Sequence, residues 1–400
     1  MKINSKILFS FSIYGSGILA FFLADLYVVA HFSPTVATDW AFYKSALFIL
    51  TSFSVLGLDQ VIVRHPNISK NILYQFLINS ISIGIVSYSI FVYLSPVTIE
   101  AEKLVCSIFL LSYITLSAAV FRANRALVYA QVATNGWKIL TLAFIVFTTF
   151  ETDHWFLLSL FIFAGITTLT LLISKLLRQQ ATQRLSSQHD LRHLGYSFFF
   201  HNMTLVVAIY GEQLIINALG YQKVAYTLYA HFVIFTPLAL SLYGFFGFYL
   251  APKIRHMTLF SIEHYHQYMR YIGLISFVLS LVSIFIGFLL YQLIFIDKNI
   301  QLQPTIIGSL FIVCLARGCY TLSSSCLGLF ATQKKLSYTA KLNWLLMLFY
   351  LLCLYITLIS TLLPNNKMAS IALLTAVHWC CRTYISHKYA KLAIQRKVIS

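Results

Sequence analysis

The chain has 400 residues, 59% hydrophobic and 16% aromatic, with only 10% charged and a mean hydropathy of +0.81. A water-soluble domain carries about 25% charged residues, so a soluble globular protein is excluded. The 28 Lys and Arg against 11 Asp and Glu give a net charge of +17. Too few charges exist to clothe a nucleic-acid-binding surface in water, and the basic excess is read against membrane topology instead. The seven Cys lie in apolar runs without the spacing of a disulfide or metal framework and read as small packing residues.

A crossing of the hydrocarbon core takes about 20 apolar helical residues. Twelve such runs follow in chain order, at about 7–30, 40–63, 72–94, 103–121, 133–150, 155–174, 195–219, 224–250, 270–296, 304–330, 340–363 and 368–386. The first follows Lys2 and Lys6 as a signal peptide would, but it is longer than the usual apolar core of about 7–15 residues and contains Asp25. It reads as a span. Twelve spans put both termini and every even-numbered loop on one side, and that side holds 22 Lys and Arg. The opposite side holds four, Lys103, Lys223, Lys298 and Lys367. The asymmetry predicts cytoplasmic termini. Trp40 and Trp155 near outer ends, with Trp344 and Trp379 near inner ends, suggest an interfacial aromatic belt.

The most polar connection splits the spans six and six. The expected organisation is an N-terminal lobe over 1–177, a cytoplasmic linker over 178–194, a C-terminal lobe over 195–386 and a basic tail over 387–400. Both lobes begin on the same side, so an internal repeat would be parallel. Tyr43 to Pro66 and Tyr226 to Pro252 hint at one, as aromatic-led spans that end in a basic, Pro-containing loop. No Gly-rich phosphate loop ending in Gly-Lys-Ser/Thr occurs, which excludes a P-loop pump. His264 and His266 form a His-x-His that could bind metal but reads better as part of an interfacial helix from Ile262 to Arg270.

Charges forced into the membrane carry the functional signal, because each costs at least about 2.5–3.5 kcal/mol at a helix centre. They are Asp25 in span 1, Lys44 and Asp59 in span 2, Glu212 in span 7 and Arg317 in span 10. Arg317 leads a polar stripe of Tyr320, Thr321, Ser324 and Ser325 and could hold a phosphate bidentately or form a structural pair with Glu212 or Asp25. Glu212 and Asp25 are coupling sites or counter-ions. Lys44 and Asp59 lie nearer span ends, where Lys44 can snorkel outward and Asp59 can sit beside Arg64. His201, His231 and His378 read as hydrogen-bonded packing residues.

Asp39 to Phe48 through Val55-Leu-Gly-Leu-Asp-Gln-Val-Ile-Val-Arg64 resembles the second span of bacterial Wzx-type O-antigen and polysaccharide flippases. Gly211-Glu-Gln-Leu-Ile-Ile-Asn-Ala-Leu-Gly-Tyr-Gln-Lys-Val-Ala-Tyr226 is similar to their span 7–8 junction, and Leu250-Ala-Pro-Lys253 to their Pro-bearing end of span 8. Glu212 stands where that family more often has Asp, and Ala225 where it has Gly. The resemblance implies the multidrug/oligosaccharidyl-lipid/polysaccharide (MOP) exporter fold, two six-helix lobes around a central cavity that alternate between inward- and outward-open forms. It further implies a bacterial inner-membrane flippase, not an enzyme, for an undecaprenyl-pyrophosphate-linked oligosaccharide. Arg317, Lys44, Tyr320 and Ser324 would line the cavity, and Glu212, Asp25 and Asp59 would couple or pair. No cofactor is expected beyond proton or sodium coupling. The expected partners are the lipid-linked substrate, the membrane and polysaccharide polymerase and chain-length machinery, with no nucleic acid. Two other classes fit the same composition: an ion-coupled exporter of drugs or small solutes, and a membrane polymerase or acyltransferase.

Overall fold

The computed structural model describes residues 5–64, 78–79, 81–89, 100–124, 126–148, 152–174, 188–255, 257, 260–295, 300–360 and 366–397. Among them the secondary structure is helical throughout. The first compact unit, Met1–Gly220, contains α1 (Ser5–His31), α2 (Pro34–Val55), α3 (Leu58–Arg64), α4 (Ala101–Ala123), α5 (Leu127–Phe147), α6 (Thr152–Ser174) and α7 (Gln188–Ala218). The second, Tyr221–Ser400, contains α8 (Gln222–Phe235), α9 (Pro237–Arg255), α10 (Ile262–Leu290, ending in a π-turn Tyr291–Phe295), α11 (Pro304–Phe330), α12 (Gln333–Ile359) and α13 (Lys367–Lys397). Eight of these helices are long and apolar enough to cross a bilayer, and α8 with the first part of α9 meets the same measure as a bent pair, a broken span or a re-entrant loop. Most of the expected third span, 72–94, lies outside the described residues, as do 175–187.

Local chemistry sets the helix starts. Ser33 precedes Pro34 at the first helical position of α2, and its hydroxyl accepts from the Val36 N–H at 3.3 Å. Thr332 caps α12 through the Lys335 N–H at 3.4 Å. Ser261 and His264 form a reciprocal capping box at the start of α10. The His-x-His segment thus lies in the first two turns of a 29-residue helix and is not a separate short helix. His231 acts as expected of a packing residue: Nδ1 meets the Thr227 carbonyl at 2.8 Å and Nε2 accepts the Gln303 N–H at 3.2 Å, just ahead of α11.

Two expected spans are broken. Span 2 splits where Leu56 and Gly57 take left-handed backbone, φ 48° and 73°. A Cβ on Gly57 would fall on the Gly195 carbonyl oxygen and within 2.8 Å of the Phe199 nitrogen, so only glycine lets α7 approach the break. Span 8 splits at Thr236, where Pro237 starts α9 at 64° to α8, its ring and missing N–H incompatible with a continuous helix. The breaks fall in the second span of each six-span block. Pairing repeats as well: α2 packs on α4 and α4 on α6, as α9 packs on α11 and α11 on α13.

Packing redraws the expected boundaries. Residues 188–194, assigned to the linker, are the first two turns of α7, which packs on α2 and α3 within the first unit. The tail continues α13 without a break to Lys397, since no Gly or Pro interrupts it. The aromatic belt is also corrected. Trp40, Trp155 and Trp379 are 0%, 1% and 2% exposed, buried in the protein and not interfacial. Trp40 stacks on Phe156 with centroids 4.5 Å apart, Tyr43 stacks on the same ring at 5.1 Å, and Phe21 meets Trp137 edge-on at 5.5 Å. Each such pair contributes about 0.5–1.5 kcal/mol beyond area burial. Of the cysteines, only Cys314 and Cys326 are fully buried, while Cys106, Cys380 and Cys381 are exposed and so do not pack the core as expected.

Candidate functional site

In the second unit the site is built by α11 and α13, which pack against each other along their lengths. The Arg317 guanidinium lies 4.9 Å from the Trp379 ring centroid. Arg382 lies 5.9 Å from the same ring and 5.2 Å over Tyr320, and its Nη2 donates to the Tyr320 hydroxyl at 3.3 Å. Tyr320 meets Trp379 edge-on at 5.9 Å. Two guanidinium groups thus share the Trp379 ring, and Arg382 also lies over Tyr320; these π faces offset part of the cost of removing them from water. Counted from Pro304 and Lys367, both arginines lie roughly 20 Å along their helices, too deep to reach either end. From Tyr221 to Ser400 the sequence has 15 Lys and Arg but only two acids, Glu263 in the first turn of α10 and Asp297 beyond Phe295, and neither falls at mid-span. Within this unit the membrane-embedded charge is therefore positive.

The stripe below Arg317 is only partly available. Thr321 Oγ1 donates to the Arg317 carbonyl at 3.0 Å and Ser325 Oγ to the Thr321 carbonyl at 2.8 Å, which leaves their oxygens as acceptors. Ser324 is half-buried. His378, next to Trp379, is 3% exposed and leans on Tyr350 with centroids 4.6 Å apart. Neither of its ring nitrogens has a hydrogen bond among the described residues, so it is not the bonded packing residue expected.

In the first unit Asp25 is buried, and its Oδ1 accepts from Lys44 Nζ and Trp40 Nε1, both at 2.7 Å. Lys44 is 7% exposed and does not snorkel. Its charge is held by Asp25, with Phe21 5.5 Å away. Asp59 sits in the first turn of α3, accepts from Gln60 Nε2 at 2.7 Å and pairs with Arg122 at 3.7 Å. Glu212 is half-buried on α7, as is His201.

Sequence reasoning missed two cations. Lys138, assigned to a basic loop, lies in the middle of α5, donates to Asn135 Oδ1 at 2.8 Å, and rests 6.0 Å from Phe21 and 5.9 Å from Trp137. Arg382, assigned to the inner end of the last span, is 0% exposed near the middle of the 31-residue α13. The signal for Arg382 was the absence of any helix breaker between Lys367 and Lys397. For Lys138 it was the earlier helix start at Leu127, which moves the residue inward by two turns. With both removed from the loops, the charge asymmetry between the two sides persists. Lys138 and Asp59 also line a cavity of about 300 Å³ among α2, α3, α4, α5 and α7.

No family model and no curated protein matches this sequence. Solved structures do resemble it. The inward-facing conformation of a multidrug resistance MATE family transporter of the MOP superfamily aligns with TM-score 0.61 at 12% identity, over 98% of this chain and 99% of that one. A crystal structure of MATE in complex with MaD5 gives 0.62 at 14% identity, over 97% and 94%. The outward-facing conformation of a MATE family transporter gives 0.59 at 13% identity, over 99% and 96%. At such identities the likeness carries the fold alone. The chain is an all-α integral membrane protein of about twelve membrane helices in two lobes, with the fold of the MATE transporters of the MOP superfamily.

Proposed function

We propose that the protein is a flippase that moves an undecaprenyl-pyrophosphate-linked oligosaccharide from the cytoplasmic to the outer face of the bacterial inner membrane by alternating access. The observation that carries this reading is the pair Arg317 and Arg382 around Trp379 and Tyr320, in a unit with no acid at mid-span. A pyrophosphate loses its hydration in about 30 Å of hydrocarbon, and guanidinium forks replace that water with charge-assisted hydrogen bonds. A polyprenyl tail needs no such help and stays in lipid. The motif resemblance in spans 2, 7 and 8 supports the same substrate class. The loop asymmetry, 20 to 4 once Lys138 and Arg382 are placed inside helices, supports cytoplasmic termini.

The structural neighbours named for multidrug resistance keep a small-solute exporter in view. A cationic substrate, however, would meet two arginines and no acid at mid-span in the second unit. The test is transport by the purified protein in liposomes, with a fluorescent undecaprenyl-pyrophosphate oligosaccharide and a cationic dye as separate cargoes. Translocation of the lipid-linked cargo without dye movement is expected. Dye transport driven by an ion gradient, with no movement of the lipid-linked cargo, would replace this reading with drug export.

A further inference from the structure

We infer that the groove between α12 and α13, at the end where α12 begins and α13 stops, seats an anionic phospholipid of the surrounding bilayer, as a resident lipid and not as cargo. The two helices run antiparallel, and their contacts fix the register. Lys335 Nζ donates to the Leu392 carbonyl at 2.7 Å, Tyr338 meets Tyr389 edge-on at 5.6 Å, and the Tyr350 hydroxyl lies 2.9 Å from Thr375 Oγ1. On α12, Lys335, Tyr338, Leu342 and Phe349 recur at helical spacing along one strip, and on α13 Cys381, Ile385, Lys388 and Leu392 do the same. None of these eight is fully buried, and Tyr338, Phe349, Cys381, Lys388 and Leu392 are exposed.

Both sides of the groove change chemistry in the same direction. From mid-helix outward, Phe349 and Leu342 on α12 give way to Lys335, and Cys381 and Ile385 on α13 give way to Lys388, with the Tyr338 and Tyr389 rings where the change occurs. Lys335 and Lys388 lie just beyond the expected span ends at 340 and 386, the level at which tyrosine and lysine meet lipid headgroups. A molecule that matches must therefore carry an apolar chain and a polar head in that order. Charge selects the head. From Ala331 to Ser400 there are nine Lys and Arg and no Asp or Glu. Basic residues toward the end of α13 suit the negative end of its dipole, but Lys334 and Lys335 occupy the first turn of α12, its positive end, where no acid stands. A lipid phosphate at that level offsets the dipole and the lysines together, as basic sites between membrane helices do for anionic headgroups. A zwitterionic head brings its own cation to a site already positive, and a soluble acidic peptide leaves the apolar half of the groove uncovered.

The test is native mass spectrometry of the full chain released from detergent after incubation with cardiolipin, phosphatidylglycerol or phosphatidylcholine of the same acyl composition. The anionic lipids should remain bound at least tenfold more than phosphatidylcholine. Lys335→Gln with Lys388→Gln should cut cardiolipin retention at least fivefold, whereas Lys223→Gln with Lys298→Gln, which removes the same charge elsewhere, should leave it unchanged. Because Lys335 also ties α12 to α13, Lys388→Glu alone serves as a second variant should the double change fail to fold, with melting temperature as the check. Equal retention of all three lipids, wild-type retention in the folded groove variants, or an equal loss in the control pair would overturn the inference. Displacement of cardiolipin by millimolar inorganic phosphate would also overturn it, since the groove would then hold a free anion and not a lipid.

Discussion

At the residue scale, the buried charges differ in how they are held. Asp25 and Lys44 form a close pair sealed by Trp40, so each is destabilising without the other. Asp25→Ala strands a buried ammonium and should cost about 3–5 kcal/mol, whereas the double change Asp25→Asn with Lys44→Met should recover most of that loss. Thermal melting of the single and double variants in detergent checks it; additive losses would mean that the two groups do not act as a pair. Arg317 and Arg382 both lie against aromatic rings. Arg317→Ala should lose export at normal protein level, and Arg317→Lys should recover part of it, because charge survives without the bidentate fork. A cell-surface polysaccharide assay at matched protein level reads both. Arg317 was legible from sequence because it interrupts a clean apolar run. Lys138 and Arg382 were not, because each sits near a cluster of loop charges, and only the true helix ends show that they are inside.

At the element scale, the sequence located the long helices well and their interruptions poorly. The Leu-Gly-Leu run in span 2 was read as a family motif within a continuous helix, yet its physical role is a left-handed break that admits the α7 backbone. Hydropathy averages over such a break because apolar residues flank it on both sides. Gly57→Ala combines an unfavourable φ with a backbone clash and should destabilise the protein by more than about 1 kcal/mol. Melting of Gly57→Ala beside Gly15→Ala, where added bulk meets nothing within 4 Å, measures the effect; equal melting of the two would show that the break does not require glycine. Pro237 was equally visible in the sequence, but a proline in an apolar run signals a kink without giving its angle. Trp40, Trp155 and Trp379 were misread because tryptophan suits both a membrane interface and a core, and the choice between them is made by tertiary packing.

At the scale of the whole molecule, the count of spans and the side-to-side charge asymmetry were the strongest sequence signals, since one missed span would invert every later loop. The account expects residues 185 and 398 on the cytoplasmic side. Cysteine labelling at both positions with a membrane-impermeant reagent in intact cells should leave them unmodified, and labelling of either would break the topology. Substrate class was the least legible feature, because fold and topology are shared by exporters of unlike cargo and only the placement of charge within each unit separates them. The measurement that bears most directly on the central claim is the sidedness of lipid-linked oligosaccharide in cells lacking this protein, read by accessibility to an enzyme added outside the inner membrane. The account predicts that undecaprenyl-pyrophosphate-linked units accumulate on the cytoplasmic face, and that the wild-type chain but not Arg317→Ala returns them to the outer face. Lipid-linked units that reach the outer face at the normal rate without this protein would contradict it.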